Sequence, residues 1–223
     1  MTSRVYRRAL LALLGLAPSG ILAAQVAGLP VRNAGIGTGI GVAVDAGFPN
    51  GAAGKGWAVG ATGMVGLGPF GVTASVSHWK PKGLESLNAV GATGNLKILG
   101  GPLIPLSVTL QAGAGYSKVT QQGFEAPVTT KTVHVPVGIG IALTIPNPVF
   151  SIKPWVAPRL DIQRVTISSD TPAESNTDTH FGISAGVDLG FLGGISARVM
   201  YDRIQGDSHP SVLSIGLGFR VGL

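Results

Sequence analysis

Apolar and small residues alternate along most of this chain with a period of two. In Ile215-Gly216-Leu217-Gly218-Phe219-Arg220-Val221-Gly222-Leu223, every odd position is apolar and every even one is Gly or Arg. The stretches Val133 to Leu143 and Phe181 to Leu189 repeat the pattern. Such a period places each set of side chains on one face of a β-strand. Carried along the chain, the template predicts ten strands near 35–48, 56–67, 70–79, 88–99, 104–117, 132–145, 149–164, 179–191, 194–203 and 212–223. Each approaches or exceeds the roughly 9 to 11 residues that let a tilted strand cross a bilayer. Eight strands remain possible if two weak segments do not span.

Short connections alternate with long ones. Gly68-Pro69, Gly100-Gly101-Pro102, Pro146-Asn147-Pro148 and Gly193 are tight turns, whereas 49–55, 80–87, 118–131, 165–178 and 204–211 are longer and polar. Short turns at one end and long loops at the other are the pattern of outer-membrane barrels. Past the amino terminus no stretch offers about 18 consecutive apolar residues, which argues against a helical membrane bundle.

The two strand faces differ in chemistry. One carries Val, Ile, Leu, Phe and Ala; the other carries Gly, Ser, Thr and Ala with Asp45, Lys97, Lys153, Arg159, Asp161, Asp188, Arg198, Asp202 and Arg220. A solvated sandwich face is usually rich in Lys, Glu and Thr, and glycine weakens a strand. A barrel interior, where side chains converge on an axis, explains the small residues better. Against lipid, a mid-depth Arg or Lys would cost roughly 2 to 4 kcal/mol. The charged set is therefore placed in the lumen, either as a salt-bridge network or as a constriction. Aromatics mark the strand ends: Phe48, Trp57, Trp79, Tyr116, Phe181 and Tyr201 near the long loops, Phe70, Phe150, Phe191 and Phe219 near the short turns. Two interfacial girdles are the expectation.

Upstream of the strands, Arg4, Arg7 and Arg8 precede an apolar run from Ala9 to Ala24 that is interrupted by Pro18 and ends in small residues. This is secretory signal-peptide anatomy, giving a signal over 1–24 and a barrel over 25–223. Losing the three arginines takes Lys plus Arg from 16 to 13 against 10 acids, so the mature charge is +3 rather than +6. Nucleic-acid binding loses its support with them. Charged residues are only 12% of the chain while mean hydropathy is +0.41, which excludes disorder. The absence of cysteine removes thiol catalysis, thiolate metal sites and disulfides.

The signal segment, the alternating strands and the terminal Ile215, Leu217, Phe219, Val221 and Leu223 resemble the small bacterial outer-membrane β-barrel families. The resemblance implies an all-β, antiparallel up-and-down transmembrane barrel in the bacterial outer membrane. It also implies that those five residues serve as the signal read by the barrel-assembly machinery, with outer-membrane lipids around the wall.

Chemistry is thin. Asp207-Ser208-His209 resembles half of the omptin protease site, but that pattern also needs an aspartate pair, and no Asp-x-Asp occurs. Ser77-His78 suggests lipid A deacylase chemistry, yet neighbours on a strand face opposite sides. The histidines His78, His134, His180 and His209 are too widely spaced for a metal motif. Around Gly54-Lys55 the phosphate-loop spacing fails, and strand alternation accounts for Gly35, Gly37, Gly39 and Gly41. No cofactor, metal or enzymatic activity is expected. The reading is a narrow passive pore for small solutes, with a closed structural or adhesive scaffold as its alternative and a barrel hydrolase as a distant third.

Overall fold

A computed structural model describes residues 26–101, 104–121, 127–169, 172–206 and 209–222; residues 1–24, expected to be a signal segment, lie outside them. Ten long strands form the wall: β1 Gly39–Pro49, β2 Trp57–Leu67, β3 Phe70–Lys80, β4 Leu87–Gly101, β5 Ile104–Gln121, β6 Val128–Leu143, β7 Phe150–Ser168, β8 Glu174–Phe191, β9 Ile195–Ile204 and β10 Ser211–Val221. A two-residue strand, Ile145–Pro146, pairs with Ser151 and Ile152 in the turn before β7. Every strand is antiparallel to its chain neighbours, and β1 pairs with β10 from Ile40–Val221 to Pro49–Val212, which closes the barrel. Closure leaves no free edge along the common height of the wall.

Alternation sorts the side chains as the period predicts. Ile40, Val42 and Val44 of β1 and Leu213, Ile215, Leu217 and Phe219 of β10 face outwards and are about half exposed, while Ala43, Asp45, Ser214 and Val212 face inwards and are buried. An apolar belt on the outside and polar groups inside invert a soluble protein, and only lipid makes that inversion favourable.

Strand lengths are unequal. β1, β2 and β3 have 11 residues each, whereas β5, β7 and β8 have 18, 19 and 18. The long four, β5 to β8, rise past the others at the long-loop end as a polar sheet containing Thr129–Thr132 and Glu174–Thr179. The predicted strands stop short here because the apolar alternation gives way to polar residues, which the strands continue through.

Two expectations are corrected. The first strand does not begin at residue 35. It begins at Gly39 (φ 123°), and residues 26–38 instead run down the inside of the barrel. Val26, Ala27 and Leu29 pack with Ala58, Trp79, Leu87 and Ala89 at the long-loop end. Ile36 packs with Ala43 and Met64 towards the short-turn end, beside Gly66 and Gly71. Val31 is fully buried. The glycine alternation from residue 35 is thus only partly a strand feature: Gly35 takes a left-handed φ of 72° inside the lumen.

Trp79 is the second correction. It is 1% exposed and points into the barrel, where it covers the start of the inner segment, so it is not part of an outer girdle. Its parity is that of the inward Ser75 and Ser77. The other nine aromatics named above all face outwards, from Phe150 at 38% exposure to Phe70 at 62%.

The inner segment also explains the small inward residues. A Cβ on Gly66 would stand 2.0 Å from the carbonyl oxygen of Gly37, and one on Gly140 would stand 2.0 Å from that of Asn33. These wall positions make room for a chain. We therefore expect Gly140→Ala to destabilise the barrel by about 1 to 3 kcal/mol through overpacking. Gly63→Ala, where a Cβ meets open space on the outer face, should change little. Unfolding midpoints in detergent check this; equal effects at the two sites would refute the packing account.

Candidate functional site: the charged and occupied lumen

All nine charged residues predicted for the lumen face inwards, but they form two groups. The first centres on Arg159 towards the long loops, and its Arg198–Asp45 pair reaches down beside Asp188, the cross-strand neighbour of Arg198. Arg159 Nη2 donates to Asp202 Oδ1 at 2.8 Å, its Nε lies 2.9 Å from Asp161 Oδ2, and its Nη1 donates to Ser184 Oγ at 2.5 Å. His134 Nε2 stands 2.7 Å from Asp161 Oδ1. Arg198 pairs with Asp45, its Nε donating at 2.7 Å. Register brings these together: Pro136 faces Asp161 across β6 and β7, and Ser184 faces Asp202 across β8 and β9. Asp161 and Asp202 are 1% and 0% exposed. Buried carboxylates persist as ions only when paired and hydrogen-bonded.

The second group lies towards the short turns. Asp188 pairs with Arg32 of the inner segment and accepts from Trp155 Nε1 at 3.3 Å. Among the described residues, Lys97, Lys153 and Arg220 make no ion pair. Arg220 Nη2 instead meets the sulfur of Met64 at 3.2 Å, a weak acceptor.

Wall side chains hold the inner segment by its backbone. Val31 N donates to Asp202 Oδ2 at 2.8 Å, Gln111 Nε2 donates to the Arg32 carbonyl at 3.0 Å, and Ser77 Oγ donates to the Ala27 carbonyl at 2.9 Å. A cavity of about 40 Å³ remains beside the segment, lined by Arg32, Asp45, Asn95 and Arg198 among others. That is space for a few waters. Sequence reasoning missed Arg32, His134 and Gln111. The parity of His134 and Gln111 could have revealed the last two, whereas Arg32 precedes every strand.

The catalytic candidates are scattered. Ser77 faces inwards onto Ala27, while His78 lies on the opposite side of β3, its Nδ1 2.9 Å from Asn88 Oδ1 and its ring 6.0 Å from that of Trp57. Asp207 and Ser208 lie outside the described residues, and His209 sits in a turn at φ 48°. Among the described residues no three His, Asp or Glu side chains gather as metal ligands. In the terminal strand Ile215, Leu217, Phe219 and Val221 all face outwards; Leu223 lies outside the described residues.

No protein-family profile matches the chain, and no curated protein matches it in sequence. Solved structures do match in shape. The β domain of the Bordetella autotransporter BrkA superposes with a TM-score of 0.53 at 13% identity, covering 83% of this chain and 100% of that one. The outer-membrane protease OmpT of Escherichia coli gives 0.46 at 10% identity, covering 82% and 94%. The attachment invasion locus protein Ail of Yersinia pestis gives 0.43 at 11% identity, covering 83% and 100%. At these identities the likeness concerns fold, not activity. The closed ten-stranded wall, with its apolar outer belt and polar interior, has the fold of a membrane-spanning β-barrel, and the BrkA β domain shares that fold.

Proposed function

We propose that the protein is a self-plugged, non-enzymatic outer-membrane barrel, a closed scaffold carrying an exposed sheet, rather than an open pore. The observation that carries this reading is the inner segment. Residues 26–36 occupy the lumen from mouth to mouth, with Val31, Asn33 and Ala34 at 0%, 2% and 1% exposure. Water-filled porins leave that volume empty. The lumen charges fit the same reading, because Arg159 and Arg198 are spent on Asp161, Asp202 and Asp45. Ser184, the serine nearest to them, donates to Asp202 and is fully buried, so it offers no nucleophile to a substrate.

What the scaffold presents is the extension of β5 to β8, whose residues 174–179 are exposed and polar. Sheets and loops held above a rigid wall are the usual carriers of recognition. Lipid contacts fall to the outward belt, and the outward residues of β10 would be read during assembly. Liposome swelling tests the closed state. Liposomes containing the folded protein should swell in small sugars and amino acids no faster than empty ones; fast, size-selective swelling would restore the pore.

A further inference from the structure

We infer that the short-turn mouth of the barrel is a binding site for a multivalent phosphate-type anion, formed by Lys97, Lys153 and Arg220 with Arg32 behind them. These three cations come from β4, β7 and β10, separated by three, three and four strands around a ten-stranded wall, so they ring the mouth rather than line one side. All three sit at one height. The amide of Lys97 donates to the carbonyl of Pro69 in the β2–β3 turn at 2.7 Å. Lys153 lies three residues past the start of β7, and a Cβ on Gly194 of the β8–β9 turn would touch the carbonyl of Arg220 at 2.0 Å.

Their charges act on one another. Lys153 is under the like-charge influence of Arg32, Arg220 and Lys97, with Asp188 the one carboxylate acting on it. Asp188 is already held by Arg32. Nor can the turns supply an acid: Leu67 to Phe70, Gly100 to Ile104, Thr144 to Phe150 and Phe191 to Ile195 contain none. Among the described residues the three partly buried cations share one carboxylate, Asp188, which already pairs with Arg32; the excess positive charge repels itself inside a low-dielectric wall, and a bound anion removes that cost. A monovalent ion leaves excess charge, whereas a ligand with two or more negative charges and several oxygens satisfies ammonium and guanidinium donors together. In outer-membrane barrels the short turns face the periplasm, so the ligand arrives from that side.

The site does not depend on whether the lumen conducts, since the ligand need not pass the inner segment. Inorganic pyrophosphate and tripolyphosphate are the probes, titrated calorimetrically into folded protein in a non-ionic, phosphate-free detergent at low salt. Saturable binding of one equivalent is expected, weakened by added salt. Lys97→Gln and Arg220→Gln should each lower affinity about tenfold, and Lys131→Gln at the opposite end should leave it unchanged. Heat-modifiable migration shows that each variant is folded. No saturable binding, or the same affinity in all three variants, overturns the assignment. A third arm repeats the titration in nanodiscs: binding kept in anionic lipid supports a lumen ligand, and binding lost there assigns the mouth to lipid headgroups instead.

Discussion

A barrel lacking residues 26–37 should conduct ions in a planar bilayer where the intact protein stays silent. The wall does not need the segment for its hydrogen bonds, because β1 to β10 satisfy one another around the closed ring. What the segment fills is volume. Ten strands enclose more than the eight whose side chains can fill the interior, and the inward positions here include Gly47, Gly60, Gly66, Ser75, Ser77, Thr93 and Thr109. With the segment gone, Asp202, Gln111 and Ser77 lose their partners on it and become polar groups that hold water. The current should favour anions, since Lys97, Lys153 and Arg220 make no ion pair among the described residues at one mouth and a ring of like charge selects the opposite ion. Arg32→Ala is the milder test: it cuts the ion pair to Asp188 and should give brief openings rather than steady ones. Steady current through the intact protein, or silence from a folded deletion variant, would remove the self-plugging account.

Much of this architecture is legible in the sequence because its strands are read twice, once by lipid and once by the lumen. Ile215 to Val221 alternate so cleanly that the faces follow from parity alone. The same rule was available for Trp79, whose odd position matches Ser77, yet interfacial preference pointed the other way. Its indole goes inwards because Val26, Ala27 and Leu29 offer an apolar surface there. The inner segment itself was illegible. Gly35-Ile36-Gly37 continues the alternation of β1 without a break, and only the left-handed backbone at Gly35 and Gly39 separates the two. Charge pairing was hidden for a related reason. Parity places Asp188 in the lumen, but its partner Arg32 comes from a segment no strand pattern predicts. The inward charges allow either a salt-bridge network or a constriction; among the described residues Arg32 takes Asp188, and Lys97, Lys153 and Arg220 are left outside the ion pairs.

Replacing Arg159 with methionine should cost the barrel about 3 to 5 kcal/mol, the range for removing one member of a buried ion pair. One guanidinium serves Asp161 and Asp202 and bonds Ser184, and all of these groups lie within 4% exposure. Without it two carboxylates remain buried with a single histidine nearby, and Asp202 is also the acceptor that fixes Val31 of the inner segment. The loss should therefore appear twice: as a heat-modifiability midpoint lower by roughly 10 °C, the shift expected from such a cost in a chain of this size, and as protease access to residues 26–38. Removing the charges together is a different experiment. Arg159→Met with Asp161→Asn and Asp202→Asn leaves no uncompensated ion and should recover most of the midpoint, since whole buried networks are often near neutral against their uncharged replacements. Arg220→Met supplies the contrast. Its guanidinium has a thioether for a partner and Arg32 as a like-charged neighbour, so its loss should leave the midpoint unchanged or raise it slightly. If Arg159→Met were as mild as Arg220→Met, the upper network would not be bracing the wall. A triple variant less stable than the single one would mean that the carboxylates stabilise the lumen through something other than Arg159.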